Sequence, residues 1–167
     1  MKEEDEYEGY FADCYVFSTG RTVESVQTFL KKFLPHWNPD SDAFIGLGED
    51  ELEFASTLVA LTYLEDNKDK EYQMLSGGSA DPQLKGGEIF FTSDGCVVYG
   101  VYCETKYPNT EIEDRYLRLI MEFCKSELGY IAYEDNPPLN RVEFIAAVEK
   151  YRADLGLKSS SGNVGAP

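Results

Sequence analysis

Apolar positions along the chain switch between a dense, strand-like spacing and a helical one. Residues Tyr10 to Ser18 (YFADCYVFS) are aromatic and β-branched, which predicts a buried strand, and Thr19-Gly20 supplies the turn after it. Val23, Val26, Phe29 or Leu30, and Phe33 then recur at helical spacing. Thr22 is placed to cap that helix, Glu24 suits its positive end, and Pro35 marks its stop. His36 to Gly48 (HWNPDSDAFIGLG) reads as a loop that exposes Asp40 and Asp42 and holds Trp37 and Phe44. A second helix is predicted over Glu49 to Asp66, on Leu52, Ala55, Leu58 or Val59, and Leu61 or Thr62. Glu49, Asp50, Glu51 and Glu53 suit its positive start, whereas Glu65 and Asp66 at its far end oppose the dipole by a few tenths to ~1 kcal/mol.

The second half repeats the alternation. Glu71 to Leu75 predicts a short strand, and Ser76 to Gly87, rich in glycine, a flexible connection. Glu88 to Thr92 and Cys96 to Cys103 flank Ser93-Asp94-Gly95, a strong hairpin signal, so these two strands should pair antiparallel. Thr110 with Glu113 forms a capping box ahead of a helix on Ile112, Tyr116, Leu119 or Ile120, and Phe123, ending near Gly129. Tyr130 to Tyr133 predicts a strand and Asn136-Pro137-Pro138 a break. Asn140 with Glu143 then caps a last helix on Val142, Ile145, Val148 and Leu155. Residues 1–9 read as an acidic mobile segment, 10–157 as one domain and 158–167 as a flexible tail. The expected fold is α+β, a mostly antiparallel sheet with about four helices packed on it.

Composition supports a folded chain. At 43% hydrophobic and 14% aromatic residues, the 167 residues carry enough apolar surface to offset chain entropy within one domain. Charge changes the picture more. Lys and Arg number 15 against 31 Asp and Glu, a formal −16, and the excess is front-loaded: 15 acids and 4 bases up to Asp66, 16 and 11 beyond it. Such a charge repels nucleic acid and anionic membrane, so neither is expected as a direct partner, and it favours a cationic one. Asp40, Asp42, Glu49, Asp50, Glu51 and Glu53 fall close together with no base among them, a repulsion that a basic partner would relieve. The start, Met1-Lys2-Glu3-Glu4-Asp5-Glu6, is the opposite of a secretory leader, and no apolar run approaches the ~18–20 residues of a membrane span, so a cytoplasmic protein is expected.

Candidate chemistry is sparse. Cys14, Cys96, Cys103 and Cys124 show no close metal-ligand spacing and read as reduced, mostly buried thiols. The lone imidazole, His36, follows a predicted helix and reads as a local cap or surface residue rather than a base. Asp40-Ser41-Asp42 resembles the start of a calcium loop, but its sixth position is Ile45 where glycine is needed. The pairs Gly77-Gly78 and Gly86-Gly87 lack the Lys-Ser/Thr of a phosphate loop. Neither catalytic residues nor a metal or cofactor is expected.

Three segments carry a resemblance. Asp13-Cys14-Tyr15-Val16-Phe17 with Arg21-Thr22, Phe29-Leu30 and Phe33-Leu34-Pro35 is similar to the opening of small acidic immunity proteins from bacterial polymorphic-toxin systems. Phe90-Phe91-Thr92-Ser93-Asp94-Gly95 with Tyr99-Gly100, and Gly129-Tyr130-Ile131-Ala132-Tyr133-Glu134, are similar in kind. The resemblance implies a cytoplasmic antidote that binds one cognate toxin domain, many of them nucleases or otherwise cationic, and blocks its active site or substrate entry without catalysis. Charge and loop position then nominate Trp37, Asp40, Asp42, Phe44, Glu49, Asp50, Glu51, Glu53, Glu65 and Asp66 as the toxin-binding surface. Two other classes compete: a small carboxylate-dependent hydrolase or transferase, which needs a concave pocket with perturbed carboxylates, and an acidic mimic of nucleic acid that binds host DNA-binding proteins.

Overall fold

The structure is a computed structural model that describes residues 11–38, the backbone of 43–46, and residues 54–156. Ten elements follow in chain order: β1 (Phe11–Ser18), α1 (Val23–Phe33), β2 (Ala43–Gly46), α2 (Thr57–Asp66), β3 (Tyr72–Ser76), β4 (Leu84–Phe91), β5 (Val97–Glu104), α3 (Glu111–Cys124), β6 (Gly129–Ala132) and α4 (Arg141–Asp154). Every pairing among the six strands is antiparallel, in the order β2-β3-β4-β5-β1-β6. This is an α+β single-domain arrangement, as the sequence predicts. Among the described residues no helix is long and apolar enough to cross a membrane.

Period-two alternation divides β1 between two cores. Ala12, Cys14 and Val16 join a core with α1, α2 and α3, built on Phe29, Leu30, Leu61, Leu64, Tyr116 and Ile120. Tyr15 and Phe17 point the other way and meet Phe90, Val98, Tyr130 and the α4 residues Phe144 and Val148. Three helices therefore cover one face of the sheet, and α4 covers part of the other.

Several local expectations hold. The Thr22 side chain caps α1 by accepting from the Ser25 amide at 3.1 Å, and Asn140 caps α4 by accepting from Glu143 at 2.9 Å. The hairpin closes through Thr92 N–H to Cys96 O at 3.0 Å, with Gly95 at φ 82°. All four cysteines are free, Cys14 and Cys103 buried and the other two half-buried.

Others are corrected. The loop predicted over His36 to Gly48 contains β2, whose backbone pairs with β3 from Ala43↔Leu75 to Gly46↔Tyr72. The second helix starts at Thr57, where Ser56 accepts from the Val59 amide at 3.3 Å, so no acid lies in its first turn. Strand β4 begins at Leu84, inside the predicted connection, because Gly86 and Gly87 make room for the Tyr102 ring and for Leu34 on opposite faces. Thr110 makes no side-chain cap. Glu113, the expected reciprocal partner, is buried and accepts instead from the Thr105 and Tyr133 hydroxyls. The same helix ends at Cys124, with Lys125 rather than glycine in the left-handed region at φ 51°. In α4 it is Phe144 and Val148 that are buried, while Val142 and Leu155 face solvent.

Arg21 is the least expected core residue. Only 2% exposed, it donates from Nε to Leu64 O at 2.9 Å and from its terminal nitrogens to Asn67 O at 3.0 Å, Lys70 O at 2.8 Å and Thr92 O at 2.6 Å. Its guanidinium also lies 5.3 Å from the Phe91 ring centroid. The cation sits at the C-terminal carbonyls of α2, which resolves the conflict that Glu65 and Asp66 create there: the negative dipole end is served from beneath by Arg21, not by a surface lysine.

Candidate functional site

Among the described residues, no helix covers the second face of the sheet where α4 does not reach. There Asp13 of β1, Glu88 of β4, Tyr102 of β5 and Leu75 of β3 share one face, and the segment Glu134-Asp135-Asn136 after β6 closes the side. Together with Phe11 and Tyr15 they line a cleft of about 370 Å³. Strand register makes this grouping: Tyr15 pairs with Gly100, Gly86 with Tyr102, and Asp13 with Tyr102.

Two glycines shape its floor. A Cβ on Gly100 would lie 2.8 Å from the Tyr15 ring and 2.9 Å from Glu88 O, and one on Gly86 would run into the Tyr102 ring. The missing side chains let both tyrosines lie down on the sheet, so the cleft stays open above them. Phe11 meets Tyr102 edge-on at 5.8 Å between centroids.

The closing segment is tied down twice. Glu134 N–H donates to Asp13 Oδ2 at 3.0 Å, and the Tyr15 hydroxyl donates to Asp135 O at 2.8 Å. Glu134 adopts φ 64°, an uncommon conformation for a residue with a side chain, and it is the turn that aims its amide at Asp13.

Electrostatics set the cleft apart. Asp13 is 8% exposed, and burial, then the neighbouring Glu88 charge, push its carboxyl up to about 7. Burial likewise raises Glu88, against the opposing effect of the Tyr15 hydroxyl, which donates to its Oε2 at 3.2 Å. Glu134 and Asp135 add further negative charge around Asp13. Among the described residues, no Lys or Arg lines the cleft. The arrangement can attract a cation and can exchange a proton near neutral pH. Among the described residues, no group of three His, Cys, Asp or Glu side chains is set to hold a metal ion.

The residues nominated from the sequence lie elsewhere. Trp37 is half-buried against the three-helix core rather than free on a loop. Glu65 and Asp66 end α2, half-buried and exposed respectively, on a helix whose outer side also exposes Leu58 and Val59. Phe44 lies in β2, its backbone opposite Met74. Asp40, Asp42, Glu49, Asp50, Glu51 and Glu53 lie outside the described residues, as do the predicted terminal segments. Of those whose side chains are described, Trp37, Glu65 and Asp66 do not line the cleft. Sequence reasoning passed over Asp13, Glu88, Glu134 and Asp135, although one signal was present: a lone aspartate inside an otherwise apolar strand.

Comparison with family models, with curated proteins and with solved structures finds no match.

Proposed function

We propose that this chain is an immunity protein that binds one cognate, cationic toxin domain in the cytoplasm and neutralises it by covering its active site or substrate entry. The observation that carries the reading is the cleft on the second face of the sheet, whose buried and half-buried carboxylates have no Lys or Arg beside them among the described residues. Aromatic rings set beside acids suit a basic partner, the rings as anchors and the acids as its complementary charge. The overall charge of −16 would speed encounter with a basic domain, while the cleft and its rings would slow dissociation.

One observation favours a second reading, a carboxylate-dependent hydrolase or transferase. Asp13, held protonated to about pH 7 beside Glu88, has the character of a general acid in a concave site. Against this, among the described residues the lining supplies no Ser, Thr, Cys, His or Lys to act as nucleophile or second base, and no lid closes over it.

The test is growth of a bacterium expressing the proteins encoded by the neighbouring genes, one at a time, with and without this chain, followed by co-purification of any toxic one with it. Rescue with a stable one-to-one complex supports neutralisation. Toxicity that persists with no complex removes it and leaves the carboxylate reading in place.

A further inference from the structure

We infer that the cleft is a socket for one arginine side chain of the partner, its guanidinium seated between Asp13 and Glu88 against the tyrosine rings. The inference rests on the neutralising reading for who brings the arginine, but the chemistry of the socket stands on the cleft itself.

Four features select the ligand. The cavity, about 370 Å³, is at the small end of ligand-sized pockets (~300–1,000 Å³) and suits one long side chain with its water. Asp13 is more than nine-tenths buried and lines it, yet only its Oδ2 is occupied, by the Glu134 amide; Oδ1 has no hydrogen bond among the described residues. Glu88 is half-buried; its Oε2 shares the single Tyr15 hydroxyl proton with Asp135 O, and Oε1 has no donor among the described residues. Neither free oxygen is sealed away inside the protein, so a donor entering the cleft can reach both. Finally, Tyr102, with Phe11 edge-on to it, presents a ring beside the acids. A planar fork of N–H donors can satisfy two carboxylates and stack on such a ring, which a lysine ammonium cannot do.

The socket also has a built-in pH dependence. The groups facing Asp13 are Tyr15 on its own strand, Glu88 on β4, Tyr102 on β5, Tyr130 on β6, and Glu134 and Asp135 on the closing segment, and none is basic. A guanidinium must displace the Asp13 proton, so binding strengthens as pH rises toward about 7, by up to about tenfold per unit below that point.

The test is titration of the isotope-labelled full chain, followed by amide NMR, with N-acetyl-arginine amide and with its neutral isostere N-acetyl-citrulline amide. The expected result is saturable shifts at Asp13, Glu88, Tyr102 and Glu134 with the arginine probe and binding at least about tenfold weaker with citrulline. Asp13→Asn, which keeps the acceptor for the Glu134 amide, should weaken the arginine probe by a similar factor. The unaltered protein, compared at about pH 6 and about pH 8, gives a readout that needs no variant, with weaker binding expected at the lower pH. Equal response to both probes, pH-independent binding, or no shift in the cleft overturns the socket. Growth rescue separates the two claims: rescue without arginine binding sinks the socket alone, and arginine binding without rescue sinks the neutralising reading alone.

Discussion

Replacing Asp13 by asparagine should make the protein more stable at alkaline pH and leave it nearly unchanged in acid. In the unfolded chain this carboxyl gives up its proton near the ordinary 3.8; in the folded protein it holds it to about 7. Between those values the folded state binds more protons than the unfolded state, so the stability Asp13 permits falls as pH rises, and above about 7 the whole penalty is present. A shift of roughly three units corresponds to a ceiling of about 4 kcal/mol at 1.36 kcal/mol per unit, and water at the open side of the cleft brings the expected figure to about 2–4 kcal/mol. Asparagine cannot ionise, still accepts from the Glu134 amide, and turns an amide donor toward Glu88. Urea unfolding at about pH 8 should show the midpoint of Asp13→Asn raised by about 1–2 M for a slope near 2 kcal/mol/M, and at about pH 5 by about a third of that. An unchanged or lowered midpoint at alkaline pH, or an equal gain at both pH values, would refute the account of the buried carboxyl.

Other substitutions probe the frame and the surface. Arg21→Ala removes the donor shared by the α2 carbonyls and the hairpin, and should cost about 3–5 kcal/mol; Arg21→Lys keeps the charge but not the fork and should still cost about 2 kcal/mol, both measured by chemical denaturation. Gly100→Ala forces a Cβ against the Tyr15 ring and Glu88 O, and should cost about 1–3 kcal/mol while displacing the Tyr15 side chain in NMR spectra. If the acids of the 49–53 stretch steer the toxin, the combined Asp50→Lys, Glu51→Lys, Glu53→Lys variant should bind it with an on-rate lowered by about tenfold or more at low salt, read by stopped-flow mixing; an unchanged rate removes that stretch from the encounter surface.

Local signals in the sequence carried the fold well where a turn or cap is written in adjacent residues. Thr22 and Pro35 bound α1, Asp94-Gly95 closes the hairpin, and Asn140 starts α4, each through hydrogen bonds that span only a few residues. The failures share a cause, in that long-range packing decided them. Gly86 and Gly87 look like a flexible connection until Tyr102 and Leu34 arrive to fill the space beside them. Glu113 looks like half of a capping box, but Thr105 and Tyr133 draw it into the core. The cleft was illegible for the same reason. Asp13 and Glu88 come from distant parts of the chain and meet only because β5 pairs with β1 on one side and β4 on the other, a register that hydrophobic alternation alone does not specify.

Folding alone gives no reason for an acid at position 13. Every residue of the strand that carries it except the two at its ends is buried, its neighbours on the same face are the rings of Tyr15 and Phe17, and an apolar or amide side chain there would remove an electrostatic penalty of a few kcal/mol. The contrast with Arg21 is instructive. That buried charge is wrapped by backbone carbonyls from three parts of the chain and so contributes to the fold that contains it. Asp13 receives one amide, faces three other carboxylates and opens on a cleft. A buried charge with its partners built in holds a structure together. A buried charge left half-satisfied on an uncovered face stores unfavourable energy that an incoming cation can release, and proteins keep such residues where binding matters more than stability.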